Sequence, residues 1–396
     1  MTKSKQPQYR FDGFEGEWEE KELGDIVQIT MGQSPSSQNY TTNPSDYILV
    51  QGNADIKNGY VFPRVWTTQI TKQADKGDII LSVRAPVGDV GKTNYHVIIG
   101  RGVAAIKGNE FIFQILKYLK EIGYWKRIST GSTFDSISSS DIKYAKIQIP
   151  SLPEQEAIGE LFQMVDQLIQ LQDQKLATLK EQKQTFLRKM FPAQGQKVPE
   201  IRLQGFKGEW EENKLGEVSP LRGGYAFESD KFQSDGIKII RISNILSSGI
   251  IGGEFAHYHQ INNDDKYLLT GGSALIAMSG ATTGKVSILN TEEKYYQNQR
   301  VGYFMDLNKI HYNFIIAFLK SLNFNKQIQS VLVAGAQPNI SSKEIDNFQI
   351  LYPRHNVEQE AIGNFFQTLD QQIAQSEEKL TELKALKQTL LNRLFV

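Results

Sequence analysis

Gly13-Phe14-Glu15-Gly16-Glu17-Trp18-Glu19-Glu20, followed by Leu23-Gly24, returns as Gly205-Phe206-Lys207-Gly208-Glu209-Trp210-Glu211-Glu212, followed by Leu215-Gly216. A second stretch, Glu154-Gln155-Glu156-Ala157-Ile158-Gly159, returns as Glu358-Gln359-Glu360-Ala361-Ile362-Gly363. The two landmarks keep a similar separation in each copy, so whole domains are duplicated. Solenoid units are shorter, with periods of roughly 20–50 residues. Two similar domains present two similar surfaces, a layout suited to a target that is read at two separated places.

After each second landmark the apolar residues fall on a four-three spacing. In the first copy it selects Ile158, Phe162, Val165, Ile169, Gln172, Leu176, Leu179, Lys183, Phe186 and Met190. In the second it selects Ile362, Phe366, Leu369, Ile373, Ser376, Leu380, Leu383, Lys387, Leu390 and Leu394. Eight of ten positions are apolar in each copy, and both copies break at the same two places. Such a stripe predicts a long helix whose seam must be covered by another seam. The sister helix is the matched partner; docking on the helix's own domain, or pairing between two chains, are the alternatives. Gln172 and Lys183 inside the seam are expected to cost stability and to penalise slipped registers. Pro192 stops the first helix. A helix of this extent is about 55 Å long.

Ahead of each helix lie short β-like runs bounded by Gly, Asn, Asp and Pro. Tyr47–Val50, Asp78–Val83 and Tyr95–Ile99 belong to the first copy; Ile237–Ile242 and Ser273–Met278 take the same places in the second. A short helix is expected at Ile115–Lys120 and Ile315–Lys320, then a polar stretch at Gly131–Ser138 and Gly335–Ser341. A last strand is expected at Ala145–Ile149 and Asn347–Ile350. The order is a β-rich domain with small helices, then one long helix, twice over.

At 396 residues the chain has room for two or three domains, each with a core. Its 40% hydrophobic and 22% charged residues argue against wholesale disorder. The absence of cysteine excludes disulfide scaffolds, thiol nucleophiles and thiolate metal sites. No run approaches the roughly 20 apolar residues of a membrane span, and a cytoplasmic location is expected. Net charge is zero, but residues 26–150 carry 14 basic against 9 acidic residues, and residues 267–343 carry 7 against 3. Each copy is an acidic front followed by a basic body.

Motifs for chemistry fail on inspection. Gly100-Arg101-Gly102-Val103-Ala104-Ala105 imitates a dinucleotide fingerprint, but Asn298-Gln299-Arg300-Val301 stands in its place in the other copy and no βαβ units surround it. Gly280-Ala281-Thr282-Thr283-Gly284-Lys285-Val286 imitates a phosphate loop, yet its glycine spacing is one residue short and Val286 replaces the hydroxyl that would hold magnesium. A β-turn fits it better. No two of the 12 prolines adjoin, so the Pro-Pro-aromatic motif of an amino-methyltransferase is absent, and the five histidines show no zinc spacing. The chain is expected to be non-catalytic and to bind no metal.

What remains is a set of polar loop residues at matching places. Gly32-Gln33-Ser34-Pro35 stands against Arg222-Gly223-Gly224-Tyr225, and the Gly100 loop against Asn298-Gln299-Arg300-Val301. Arg, Gln and Asn carry the donor patterns suited to base edges. The candidates for DNA contact are Gln33, Arg84, Arg101, Lys126, Arg127, Arg222, Tyr225, Arg241, Asn244, Asn298, Arg300 and Gln337.

A β-rich domain opening on Gly-Phe-x-Gly-Glu-Trp, closing on Pro150 or Pro353, and leading through Glu-Gln-Glu-Ala-Ile-Gly into a long helix, all duplicated, resembles the specificity subunits of type I restriction–modification systems. The resemblance covers almost the whole chain, although the second joint is one residue longer. It implies an α+β protein with an internal pseudo-twofold repeat: two target-recognition domains separated by two long helices that form an antiparallel coiled coil. The expected parts are recognition domain 1 (1–152), spacer helix 1 (153–191), a linker (192–205), recognition domain 2 (206–352) and spacer helix 2 (353–396). The helix interface is expected at Ile158, Phe162, Val165, Ile169, Leu176 and Leu179 against Ile362, Phe366, Leu369, Ile373, Leu380 and Leu383. The implied partners are double-stranded DNA, two methyltransferase subunits that carry S-adenosylmethionine, and restriction subunits that carry ATP and magnesium. A self-contained methyltransferase or nuclease, and a protein-only coiled-coil scaffold, are the alternatives.

Overall fold

The computed structural model describes residues 6–130, 135–246, 248–334 and 339–395. The chain divides into two compact units, Met1–Asp173 with Glu378–Val396, and Gln174–Glu377. Each unit therefore holds one β-rich domain and part of each long helix.

In the first unit the central sheet runs in the order Gln28–Met31, Val103–Lys107, Ile79–Ser82, Val90–Lys92, Tyr60–Val61 and Ile56–Lys57. A second sheet runs Tyr40–Thr41, Trp66–Thr67, Tyr47–Val50, Val97–Ile99 and Lys72–Ala74. Side chains alternate along a strand. Ile79, Leu81, Ala104 and Ile106 therefore enter one core with Phe111, Ile115 and Leu116 of the helix Glu110–Glu121. Ile80, Val103 and Ala105 enter another, with Val50, Val97 and Ile99 of the second sheet. A sheet covered on both faces needs an unbroken apolar run, which is why Ile79-Ile80-Leu81 shows no alternation. Each such side chain contributes about 1.5–3 kcal/mol by leaving water.

The second unit repeats the plan. Its central sheet is Leu221–Gly223, Val301–Phe304, Ala274–Ala277 and Val286–Ile288; its second sheet is Ala256–Tyr258, Ile237–Ile240, Tyr295–Gln297 and Leu268–Leu269. Ala274 and Ile276 face the helices Tyr312–Leu319 and Leu322–Ala334, while Leu275 and Ala277 face the second sheet. Both units contain the same parallel pair, Tyr47–Val50 with Val97–Ile99 and Ile237–Ile240 with Tyr295–Gln297. The last strand of this unit spans Gln349–Tyr352, two residues beyond the expected start. Asn347 instead caps the short helix Ser342–Asp346, and Phe348 is buried in the core below it. The stretches 131–134 and 335–338 of the two polar segments lie outside the described residues.

The long helices span Leu152–Lys189 and Asn356–Leu394. All twelve expected interface residues are buried or half-buried. In the first unit Phe162 stacks on Phe395 at 5.5 Å, and Asp166 and Asp173 pair with Lys387 (2.6 Å) and Lys384 (3.7 Å). In the second unit Lys180, Lys183 and Phe186 meet Glu377 (2.6 Å), Asp370 (2.5 Å) and Phe365 (5.1 Å). Partner numbers fall as the first helix advances, so the pairing is antiparallel within each unit.

These contacts give the seam lysines Lys183 and Lys387, where both apolar stripes break, specific partners. Each lysine meets an aspartate of the sister helix that also holds a lysine of its own domain: Lys117 with Asp166 at 3.2 Å, and Lys320 with Asp370 at 2.6 Å. Burial, opposed by Asp166 and helped by the neighbouring Lys387 ammonium, pushes the Lys117 pKa down to about 8. Burial raises the Asp166 carboxyl, but the two ammoniums outweigh it and the net shift is downward.

A lysine titrating lower in the folded chain than the unfolded value of about 10.4 holds fewer protons when folded between those limits. Its contribution to stability therefore rises with pH from about 8 to 10.4, and the cost of burying its charge is fully present below that window. A titration of the Lys117 Nζ resonance should show a midpoint near 8, and Lys387→Met should raise it by removing the like charge. An unmoved midpoint would show that the two ammoniums do not share the carboxylate.

Candidate nucleic-acid interface

The repeated signature segments build a clamp in each unit. Arg10 donates from Nε and Nη2 to both oxygens of Glu154 (2.8 and 2.7 Å) and holds the carbonyls of Gly16 (2.5 Å) and Glu15 (3.0 Å). Arg202 does the same to Glu358 (2.7 and 2.8 Å), Gly208 (2.5 Å) and Lys207 (3.0 Å). Glu154 and Glu358 are each 1% exposed. Gln155 and Gln359 donate to the carbonyls of Pro150 (2.9 Å) and Pro353 (2.8 Å). The clamp thus fixes the opening segment, the last strand and the start of the long helix to one another. Neither arginine was picked out by the sequence reading.

In the first unit Asn109, just beyond strand Val103–Lys107, bonds Gln155 at 3.0 Å. The loops with the candidate DNA residues gather at the other end of that strand. Gln33 N donates to Ile99 O (2.8 Å), Gly100 N to Val50 O (2.8 Å), Arg101 N to Ser34 Oγ (3.1 Å) and Val83 N to Gly102 O (2.9 Å). Arg84 pairs as a β-bridge with Ser136. Five chain segments are thereby tied together, and Gln33, Arg84 and Arg101 project exposed from them. Lys126 and Arg127 are exposed on the short helix Tyr124–Ile128, whose Trp125 packs against Gly88 of the loop after Arg84.

The second unit keeps the same bonds. Tyr225 N donates to Gln297 O (2.8 Å), Asn298 N to Ile240 O (3.1 Å) and Met278 N to Arg300 O (3.0 Å). Gln33 is therefore matched by Tyr225, Gly100 by Asn298, Arg101 by Gln299 and Gly102 by Arg300. Gln299 and Arg300 are exposed, and Asn298 and Tyr225 half-buried. Gln299 was passed over as a candidate, although the alignment of the two loops already set it opposite Arg101. The Gly280–Val286 segment is a turn, with Thr283 N bonded to Gly280 O (3.1 Å) and Lys285 N to Thr282 O (3.0 Å).

Two candidates belong to the framework instead. Asn244 is fully buried: its Oδ1 accepts from Arg241 N (3.0 Å), and its Nδ2 donates to the carbonyls of Gly252 (3.1 Å) and Glu254 (3.0 Å). It closes a one-turn helix as Asp55 does in the first unit, where Asp55 Oδ2 accepts from Gly52 N at 3.2 Å. Arg222 donates to Gln297 Oε1 (3.0 Å) and Leu268 O (3.1 Å) and lies 4.7 Å over the Tyr303 ring. Burial lowers its pKa. Asn244 has no donor to spare for a base, and Arg222 commits its Nε and Nη2 to the framework. Arg241 is half-buried beside Phe232, with its Nε unpaired among the described residues. Gln337 lies outside the described residues.

Among the described residues no group of acidic, histidine or cysteine side chains is arranged to hold a metal ion, and no helix is long and apolar enough to cross a membrane.

Comparison with known proteins gives a consistent picture. A family described as "Type I restriction modification DNA specificity domain" matches residues 15–181 and again 207–385. The chain is 36% identical over 180 residues to the putative type I restriction enzyme MjaX specificity subunit of Methanocaldococcus jannaschii, across 43% of this chain and 42% of that protein. It is 23% identical over 394 residues to the type I restriction enzyme MjaVIII specificity subunit of the same organism, across 96% of this chain and 92% of that one. Among solved structures, the S subunit of a type I restriction–modification system from M. genitalium matches with a TM-score of 0.66 at 18% identity, covering 99% of each chain. At that identity the likeness speaks for the fold.

Proposed function

This chain belongs to the type I restriction–modification DNA specificity family, and we propose that it reads a bipartite, asymmetric DNA sequence, one half with each β-rich domain. The observation that carries this reading is the loop cluster. The same backbone bonds hold the same loops in both units, while the side chains they present differ: exposed Gln33, Arg84 and Arg101 in one, half-buried Tyr225 with exposed Gln299 and Arg300 in the other. Arginine pairs in bidentate fashion with guanine and glutamine with adenine in the major groove, so unlike side chains on like scaffolds select unlike sequences.

The chain itself performs no chemistry in this proposal. Methyl transfer belongs to two methyltransferase subunits with bound S-adenosylmethionine, and cleavage to restriction subunits using ATP and magnesium, all in the cytoplasm. The helix pair serves as spacer and as their seat. Zero net charge fits a complex in which partners supply much of the phosphate grip.

Two measurements test this. The purified chain, given DNA and S-adenosylmethionine, should transfer no methyl groups; clear transfer would sink the non-catalytic reading. Exchanging residues 18–150 for those of a relative should change one half of the methylated sequence and leave the other intact. A change in both halves would show that the domains do not read independently. Failure to bind DNA in the presence of methyltransferase partners would favour a protein-only scaffold.

A further inference from the structure

The second unit contains a cavity of about 350 Å³ that plays no part in the DNA reading. Ile288, Ile316, Ala317 and Phe366 form its walls, and Asp370 and Lys320 also line it. The internal repeat shows why it is open. A Cβ on Gly159 would press on Glu110, and one on Gly363 on Asn313, so these positions correspond. Along the same helices Phe113 then matches Ile316, Gln114 matches Ala317 and Lys117 matches Lys320. Strand register matches Lys92 with Ile288, paired to Ile79 and to Ala274 respectively.

In the first unit these positions are filled by a connected set. Gln114 Nε2 donates to Asp166 Oδ2 at 3.0 Å and to Glu110 Oε1 at 2.9 Å. The Phe113 ring lies 5.0 Å from the Lys92 ammonium and 4.9 Å from that of Lys117. In the second unit alanine and isoleucine remove both the carboxamide and the ring. Asp370 there accepts from Lys183 and Lys320, and among the described residues no amide takes the place of Gln114.

We propose that this cavity binds an uncharged carboxamide carried on an apolar group about the size of a phenyl ring. Its N–H replaces Gln114 as a donor to Asp370, its carbonyl accepts from Lys320, and its body fills the place of Phe113. The volume lies in the range of about 300–1,000 Å³ found for ligand pockets. The donor and acceptor pattern selects the neutral head: a carboxylate offers no donor to Asp370, and an ammonium offers no acceptor to Lys320.

The test uses the full-length chain with benzamide, benzoate and benzylammonium, which share a body and differ in the head. Saturation-transfer NMR should show saturable binding of benzamide, favoured over both charged compounds by at least about tenfold in affinity. Ala317→Gln, which restores the first unit's carboxamide, and Ile316→Phe, which restores its ring, should each abolish that binding while thermal unfolding stays cooperative. If A317Q does not fold, I316F carries the comparison alone. Absence of benzamide binding, preference for either charged compound, or binding unchanged in the folded variants would overturn the proposal.

Discussion

Replacing Arg202 with methionine should destabilise the second unit by about 3–5 kcal/mol, the usual cost of leaving one member of a buried ion pair alone. Glu358 is 1% exposed and takes both of its charged hydrogen bonds from this guanidinium. Without it the carboxylate is buried and uncompensated, and the carbonyls of Lys207 and Gly208 lose their donor as well. Arg10→Met should cost less, because Glu154 keeps a bond from Trp18 Nε1 at 3.3 Å. Trp210 offers Glu358 no such bond; its Nε1 is unpaired among the described residues. Urea unfolding followed by the assigned indole resonance of Trp210, distinct from those of Trp18, Trp66 and Trp125, reports on the second unit. Replacing Arg202 and Glu358 together by leucine should recover most of the loss, since a packed apolar pair does without the desolvation of charge. A loss below about 1 kcal/mol for R202M, as at an exposed pair, would mean that the clamp is ornamental.

The clamp also shows what kind of information the chain gives away. Duplication, the four-three seam and the unbroken run Ile79-Ile80-Leu81 are local patterns, and each predicts an element without knowledge of its neighbours. Arg10 and Glu154 stand 144 positions apart, and an isolated arginine near the front of a domain has no local mark of its destination. The lysines at seam positions were visible, but their aspartate partners sit on the other helix, so the penalty on slipped registers could be expected without its partners being named. At the candidate loops the residue types were legible and their burial was not. Arg222, Asn244 and Arg300 are all polar loop residues in sequence. Only the fold reveals that the first two spend their donors on backbone and framework groups while Arg300 is exposed. Turn-closing asparagine and base-reading asparagine use the same amide, which is why residue type alone does not separate them.

Gly224→Ala should abolish reading of the half-sequence assigned to the second domain, whereas Gly223→Ala, one residue away, should be nearly silent. A Cβ on Gly224 would lie 2.2 Å from Gln297 O and 2.4 Å from Asn298 O, both backbone atoms, while one on Gly223 would meet nothing within 4 Å. To admit the methyl group, the Asn298–Arg300 loop must part from the strand Leu221–Gly223. That strains the bonds from Tyr225 N to Gln297 O and from Gln299 N to Tyr225 O (2.9 Å) that hold Gln299 and Arg300 in place. Overpacking of this kind costs about 1–3 kcal/mol of stability, which a unit of this size can survive. Reading is less tolerant, because a bidentate contact displaced from its base edge loses about 1–3 kcal/mol of discrimination. With two exposed donors displaced, affinity for the complete site should fall about 100-fold or more. Binding is measured on the chain assembled with the methyltransferase subunits proposed as its partners, using duplexes altered in one half or the other. In G224A, duplexes altered in the second domain's half should bind as well as the intact site, while alteration of the other half still weakens binding. Gly32→Ala, whose Cβ would lie 2.1 Å from Gly100 O, should give the mirror result. Equal behaviour of G224A and G223A would show that these loops are not where the sequence is read.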